Sequence, residues 1–362
     1  MIAIDTGSAL DAQLDAHRAT QTTLQLWGPP GTGKSSVIRA YAEKHDLHLE
    51  VVLLAQLEPS EVGGLPFLDK NGTTKTQYAL PAWFHNLLDQ PNGAVLFFDE
   101  LNAAPWSVQA AALTFIQDRM LRGVKLPDNV LVVAAGNPVG TGISALPLNP
   151  PMANRLSHFT FTPPLDMYLP GFRKAWGREI GGVEMMLRAV VAAFLSSHRD
   201  LLHAMPTTDE DQGGPWPSHR SWDEAVRIMS VLVDPAAQMN ALGARVGQAA
   251  AAQYAVFSDG FRLPEHPSEI FTGTIKWADK DSGYIAAVLA MMLNYVEEQK
   301  DANLYKMAGD ILLEISEIDG SFDVAAFNAS DYVLLKSKVP KAEHHKKVIS
   351  TFQKIIKDSL GK

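Results

Sequence analysis

The stretch LQLWGPPGTGKSSVIRA, residues 24–40, decides how the rest of the chain is read. An apolar run from Leu24 to Trp27 breaks into Gly28, Pro29, Pro30, Gly31, Thr32 and Gly33. It then resumes as Lys34, Ser35, Ser36, Val37 and Ile38, a run that suits a helix. Glycines admit positive φ and close backbone approach, prolines fix the entry into the turn, and the first amides of a helix have no internal partners. Such amides, backed by the positive end of the helix dipole, form a concave anion site, and G-x-x-x-x-G-K-S is the spacing of the phosphate-binding loop. In that reading Lys34 reaches the β- and γ-phosphates of a nucleotide and Ser35 offers an oxygen to Mg²⁺. An incidental Gly/Pro loop is the plain alternative, but the preceding strand and following helix are both readable.

Outward from this loop, short apolar runs alternate with helical patterns up to about residue 165, at 24–27, 47–54, 94–98, 129–135 and 157–161. Five such runs, apolar enough to be buried on both faces and separated by helices, predict a mostly parallel α/β sheet. Ligands in such sheets sit at the carboxyl ends of the strands, which is where the glycine loop falls. Beyond Pro163-Pro164 the pattern turns helical, over 183–203, 221–233, 235–256, 282–299, 303–318 and a last helix near the terminus. An acidic, Pro/Gly-rich loop at 206–218 and a second break at 261–269 interrupt it. The expected organisation is an α/β nucleotide-binding core over 1–165, a helical lid over 166–260 and a further helical region over 261–362.

A phosphate loop needs a metal ligand and a means of activating water. AVLFFDE supplies both at the end of an apolar run: Asp99 and Glu100 are expected in mid-sheet, where isolated carboxylates are costly to bury. A bound cation resolves that cost. Asp99 then joins Ser35 in the Mg²⁺ shell and Glu100 polarises the attacking water, whereas a helix cap following a strand is the alternative.

Composition narrows the classes. The 362 residues exceed one typical domain, and 46% hydrophobic with 20% charged is ordinary globular usage. Zero cysteines exclude disulfides, thiolate catalysis and Cys-ligated zinc, which fits an intracellular, cytoplasmic setting. No window approaches the roughly 18 consecutive apolar residues of a membrane span, and the first residues do not read as an export signal. A net charge of −9 disfavours a chain that coats nucleic acid. A basic tail from Lys336 to Lys362 keeps a local patch open, although Val348, Ile349, Phe352, Ile355 and Ile356 recur at helical spacing and favour the solvated face of a packed helix.

The segments GPPGTGKS, LFFDELNAAPWSVQAAAL and VVAAGNP make residues 8–235 resemble the AAA+ ATPases, and within them the MoxR-like group. The resemblance implies ATP and Mg²⁺ as ligands, a five-stranded core with a helical lid, and a ring, usually of six subunits. It assigns Asn137 as the sensor-one residue that holds the attacking water. It suggests Arg155, in NPPMANRLSHF, as an arginine donated to the neighbouring subunit's site, with Arg119 and Arg122 as rivals. In WPSHRSWDEAV, Arg220 matches the lid's sensor-two arginine, with Ser221 as a possible cap.

The family also carries a pore-facing hairpin, here GGLPFLDKNGTTKTQYALPAWF. Asn71-Gly72 is its turn signal, and Phe67, Leu68 and Tyr78 are either substrate contacts or the hairpin's own packing. RGVKLPDN, 122–129, is a candidate second hairpin. H-E-x-x-H and G-x-S-x-G are absent, and His344-His345 lack further ligands at useful spacing, so no fused protease or zinc site is expected. The implied function is Mg-dependent ATP hydrolysis that remodels or activates a protein client, often alongside a von Willebrand factor A-domain partner. A nucleic-acid motor of restriction or conflict systems is the alternative, as is an ATP-dependent assembly switch with little turnover, against which Glu100 and Asn137 weigh.

Overall fold

The computed structural model describes residues 2–4, 7–68, 76–140, 146–260, 264, 266–280, 282–319, 321–343 and 345–353. Its strands, in chain order, are β1 (Ile2–Ile4), β2 (Thr23–Trp27), β3 (His48–Leu53), β4 (Leu65–Leu68), β5 (Thr76–Ala79), β6 (Ala94–Asp99), β7 (Met120–Leu121), β8 (Val124–Lys125), β9 (Val130–Gly136) and β10 (Leu156–Phe161). Six of them form one parallel sheet in the order β1-β10-β2-β9-β6-β3. All five runs read as strands are therefore present, and β1 adds a sixth at the edge beside β10, too short at three residues to announce itself by pattern.

Every residue of β2 and β9 is buried, as are Ala94–Phe98 of β6. Alternation then feeds two cores. Leu96, Phe98, Val130, Val132 and Ala134 pack on one face with Val108, Ala112 and Phe115 of the helix Trp106–Asp118. Val95, Phe97, Leu131, Val133 and Ala135 face the other way, against Leu10 and Leu14 of the helix Gly7–Thr20 and Ile38 and Tyr41 of the helix Lys34–Lys44. The chain order reverses around β2: from β2 it crosses to the far edge at β3, returns through β6 and β9, and then steps over β2 to β10. Such a switch point opens a crevice at the strands' carboxyl ends, into which the loops after β2, β6 and β9 project.

The chain divides into two compact units, one of residues 1–167 with 206–213, the other of 168–205 with 214–362. Within the second, the helix Gly182–Ser197 packs along the helix Ser282–Gln299, and a core forms from Ile285, Leu289, Leu312, Ala329 and Tyr332. Several helix bounds differ from expectation. The run 235–256 is two helices, Pro235–Val246 and Gln248–Gly260, because Gly247 takes φ 84° and no α-helix continues through a left-handed residue. The run 183–203 ends as helix at Ser197 and finishes in a 3₁₀ turn, Arg199–Leu202. A helix at Phe322–Leu335 escaped the sequence reading; Ala325, Ala326, Ala329 and Tyr332 form its buried stripe, alanine-rich and so weakly hydrophobic. In the basic tail Val348 and Phe352 are buried in the same core, and residues 354–362 lie outside the described residues. No helix among the described residues is long and apolar enough to cross a membrane.

Candidate nucleotide site

The glycine loop leaves β2 and turns directly into the helix Lys34–Lys44. Gly31 (φ 76°) and Gly33 (φ 89°) make the turn, and Gly33 occupies the N-cap of the helix, where it offers no side-chain cap. Thr32 is buried and its hydroxyl donates to the Pro29 carbonyl at 2.9 Å, closing the loop on itself. Lys34 is 8% exposed; its Nζ donates to the Gly28 carbonyl (2.7 Å), the Pro29 carbonyl (3.0 Å) and Asn137 Oδ1 (2.9 Å). Ser36, in the same first helical turn, is exposed.

Ser35 Oγ donates to Asp99 Oδ2 at 2.6 Å, joining the start of that helix to the end of β6 across 64 residues of sequence. Asp99 Oδ1 accepts from the Glu100 backbone N–H at 3.0 Å. Glu100 is exposed and holds φ 54°, ψ 38°, a left-handed conformation that costs a residue with a Cβ about 1–3 kcal/mol. It precedes a 3₁₀ turn, Leu101–Ala103, yet its side chain makes no cap hydrogen bond. The residues gathered here come from three strand ends: Lys34 and Ser35 open the helix after β2, Asp99 ends β6 and Glu100 follows it, and Asn137 follows β9.

Sequence reading missed a group of amides that supports this arrangement. Asn102, 1% exposed, donates from Nδ2 to the carbonyls of Asn137 (2.8 Å) and Leu146 (2.9 Å) and accepts at Oδ1 from the Asn137 N–H (3.2 Å). Trp106 Nε1 donates to the Pro147 carbonyl (3.3 Å), and fully buried Gln109 accepts at Oε1 from the Asn149 N–H (3.0 Å). The signal was available: amides at 102 and 109 interrupt an otherwise apolar stretch, and a buried amide demands partners.

The arginines separate by environment. Arg155 is exposed, with Nε donating to Gln117 Oε1 (2.6 Å) and Nη1 to the Pro151 carbonyl (2.7 Å). Arg119 is 7% exposed and donates to the carbonyls of Val130 (2.6 Å) and Pro127 (3.2 Å), and burial lowers its pKa. Arg122 Nε donates to the Gly63 carbonyl (2.6 Å) and its guanidinium lies 3.7 Å over the Tyr78 ring. All three are thus hydrogen-bonded within their own chain, and of the three Arg119 is the buried one. Arg220 belongs to the second unit, exposed in the first turn of the helix His219–Met229. The cap of that helix is Ser218, whose Oγ accepts from the Ser221 N–H at 3.1 Å, while Ser221 Oγ accepts from the Ser218 N–H at 2.7 Å. Ser221 is therefore the reciprocal partner three residues on, a capping box, and not the cap itself.

β4 and β5 pair antiparallel as the expected hairpin; its Asn71-Gly72 turn lies outside the described residues. Phe67 and Leu68 are exposed, at 45% and 74%, and Tyr78 is the face on which Arg122 stacks. The second hairpin is β7–β8, shifted toward the N-terminus of 122–129 because Arg122 and Gly123, both at positive φ, are its turn.

Residues 23–156 match the family model of the AAA domain, dynein-related subfamily. No curated protein matches the chain. Among solved structures, NtrX from Brucella abortus in complex with ADP is 17% identical, with a TM-score of 0.38 over 79% of this chain and 62% of that one, so the chain spans less than two thirds of NtrX. A glycine-for-proline variant of RuvB from Thermotoga maritima is 13% identical, with a TM-score of 0.41 over 90% of this chain and 89% of that one. ORC2 from Aeropyrum pernix, with ADPNP and ADP, is 12% identical with a TM-score of 0.37, covering 98% and 94%.

Proposed function

We propose, from the match of residues 23–156 to the AAA domain model, that the protein is an AAA+ ATPase that hydrolyses Mg·ATP as a ring-forming, MoxR-like enzyme and remodels or activates a protein client. The observation that carries this reading is the 2.6 Å contact between Ser35 Oγ and Asp99 Oδ2 beside the Lys34–Asn137 hydrogen bond. Two hard oxygens from separate elements suit Mg²⁺, which takes one or two protein ligands and completes its shell with substrate phosphates and water. Ser35 and Asp99 would hold the ion, which when bound neutralises phosphate charge.

The other roles follow from this chain's own groups. The amides of Gly31 to Ser36, with Pro29, Pro30 and Thr32 shaping the loop, cradle the phosphates. Lys34, buried against two carbonyls and Asn137, exchanges carbonyl partners for phosphate oxygens. Glu100 is turned off the end of β6 by its left-handed backbone, accepts the proton of the attacking water, and Asn137 orients that water. Arg155, exposed, is offered to a neighbouring subunit's γ-phosphate, and Arg220 couples a lid over 166–260 to the nucleotide state. A hexameric ring in the cytoplasm, with a von Willebrand factor A-domain protein as partner, is the assembly this reading implies.

Glu100→Gln tests the chemistry. It is expected to bind ATP with turnover lowered about 10²- to 10⁴-fold, and to sediment with ATP and Mg²⁺ as an assembled ring. Wild-type turnover in this variant would remove Glu100 from the mechanism.

A further inference from the structure

The backbone of Asn137 lies just beyond the end of the sheet. β9 ends at Gly136: its pairing with β2 stops at Trp27↔Gly136, and its pairing with β6 stops two residues earlier, at Phe98↔Ala134. What holds Asn137 is a side chain, since Asn102 accepts from its N–H and donates to its carbonyl as a neighbouring strand would. Gly136 makes room for that grip, because a Cβ there would stand 2.3 Å from Asn102 Oδ1. Asn102 spends both donors and one acceptor on this role, since its second Nδ2 proton goes to the Leu146 carbonyl.

The contacts form a closed circuit. Lys34 is bonded to Asn137, Asn137 to Asn102, Asn102 stands three residues beyond Asp99, and Asp99 is bonded to Ser35, next to Lys34. We propose that Asn102 is a positioning residue for ATP hydrolysis: by gripping both backbone groups of Asn137 it aims that side chain at the phosphate loop and holds it in register with Asp99 and Glu100. This rests on the reading of the site as an ATPase centre. Asn102 directs both Nδ2 protons and Oδ1 at backbone groups, so it acts on turnover and leaves binding intact.

A double-mutant cycle between Asn102 and Asn137 tests it. Asn102→Ala is expected to lower kcat about 10- to 100-fold through a displaced Asn137, with affinity for a fluorescent ATP analogue unchanged. The double variant Asn102→Ala/Asn137→Ala is expected to turn over no more slowly than Asn137→Ala alone, because the first residue works through the second. Wild-type kcat in Asn102→Ala, losses that multiply in the double variant, or normal turnover in Asn137→Ala would each overturn the inference while leaving ATP hydrolysis standing. Absence of hydrolysis by the wild-type protein would instead overturn the parent reading and the inference together. Should Asn102→Ala lose its circular dichroism signature, Asn102→Ser, which keeps one donor, carries the same cycle with the same outcomes.

Discussion

Lys34 has a buried ammonium satisfied by three oxygens, two from its own loop and one from Asn137. A buried cation keeps its charge only with such partners, and phosphate oxygens are stronger acceptors than carbonyls because both groups are ionised. Lys34→Ala removes at least two charge-assisted bonds to the nucleotide, each about 1.5–3 kcal/mol, so ATP is expected to bind about 100-fold more weakly or worse. Titration of a fluorescent ATP analogue measures this; wild-type affinity would detach Lys34 from the phosphates. Glu100 is the counterpart case, where an unfavourable backbone persists because its neighbours are fixed: Asp99 binds the Glu100 N–H and Ser35, and Asn102 is locked from the other side.

At the scale of elements, the second unit contains a buried charge that dictates how its helices pack. The Arg188 guanidinium has no exposed side-chain surface and donates to Glu184 Oε1, Asp223 Oδ1 at 2.7 Å and the Phe172 carbonyl at 2.8 Å, which joins the helix Gly182–Ser197 to the helices Leu165–Arg173 and His219–Met229. Arg178 shares Glu184 at 2.7 Å. Removing Asp223 leaves Arg188 and Arg178 sharing the Glu184 carboxylate and takes a charged hydrogen bond from Arg188 Nη1, so Asp223→Ala is expected to cost about 1.5–3 kcal/mol in chemical denaturation.

The pH dependence has a defined sign. Burial pushes the Glu184 carboxyl up, but Arg188 and Arg178 together outweigh it and hold it below its ordinary value of 4.5. Stability from this group is therefore present above that value and is lost as pH falls through the lower folded value. Glu184→Gln is expected to be less stable than wild type at neutral pH and to lose less stability on acidification below about pH 4.5. Parallel acid-unfolding curves for the two proteins would contradict this.

At the scale of the whole molecule, the open question is assembly. Arg155 is exposed and bonds Gln117 and the Pro151 carbonyl, Arg122 is exposed and bonds the Gly63 carbonyl, and Arg119 is buried on the Val130 and Pro127 carbonyls. An arginine supplied in trans contributes about 10³- to 10⁵-fold to phosphoryl transfer, so a ring is poisoned by each defective neighbour. Arg155→Ala subunits mixed into wild type are expected to bind ATP normally and depress activity more steeply than their proportion. Activity falling in simple proportion would reassign the finger. With a net charge of −9, DNA is expected to leave turnover unchanged; stimulation that vanishes steeply with added salt would point instead to a nucleic-acid motor.

The sheet and the phosphate loop were legible in the sequence because each depends on local order. Apolar runs such as AVLFF and VLVVAA record burial on both faces, and G-x-x-x-x-G-K-S records a turn whose geometry only that residue order permits. The acids at 99 and 100 were legible for the same reason, as charges placed at the end of an apolar run. Helix bounds in the second unit were less so, since Gly247 reads as tolerable within an apolar pattern until its φ is known, and the alanine stripe of Phe322–Leu335 carries little hydrophobic contrast. The meeting of Ser35 and Asp99 across 64 residues was expected from the two motifs together, whereas tertiary structure alone decided that Asn102 grips Asn137 and that Arg119 is buried while Arg122 and Arg155 stay exposed, each bonded to a carbonyl of its own chain. Those pairings follow from strand order at the switch point, and strand order is set by how helices pack over the sheet, a property of many residues that no single stretch encodes.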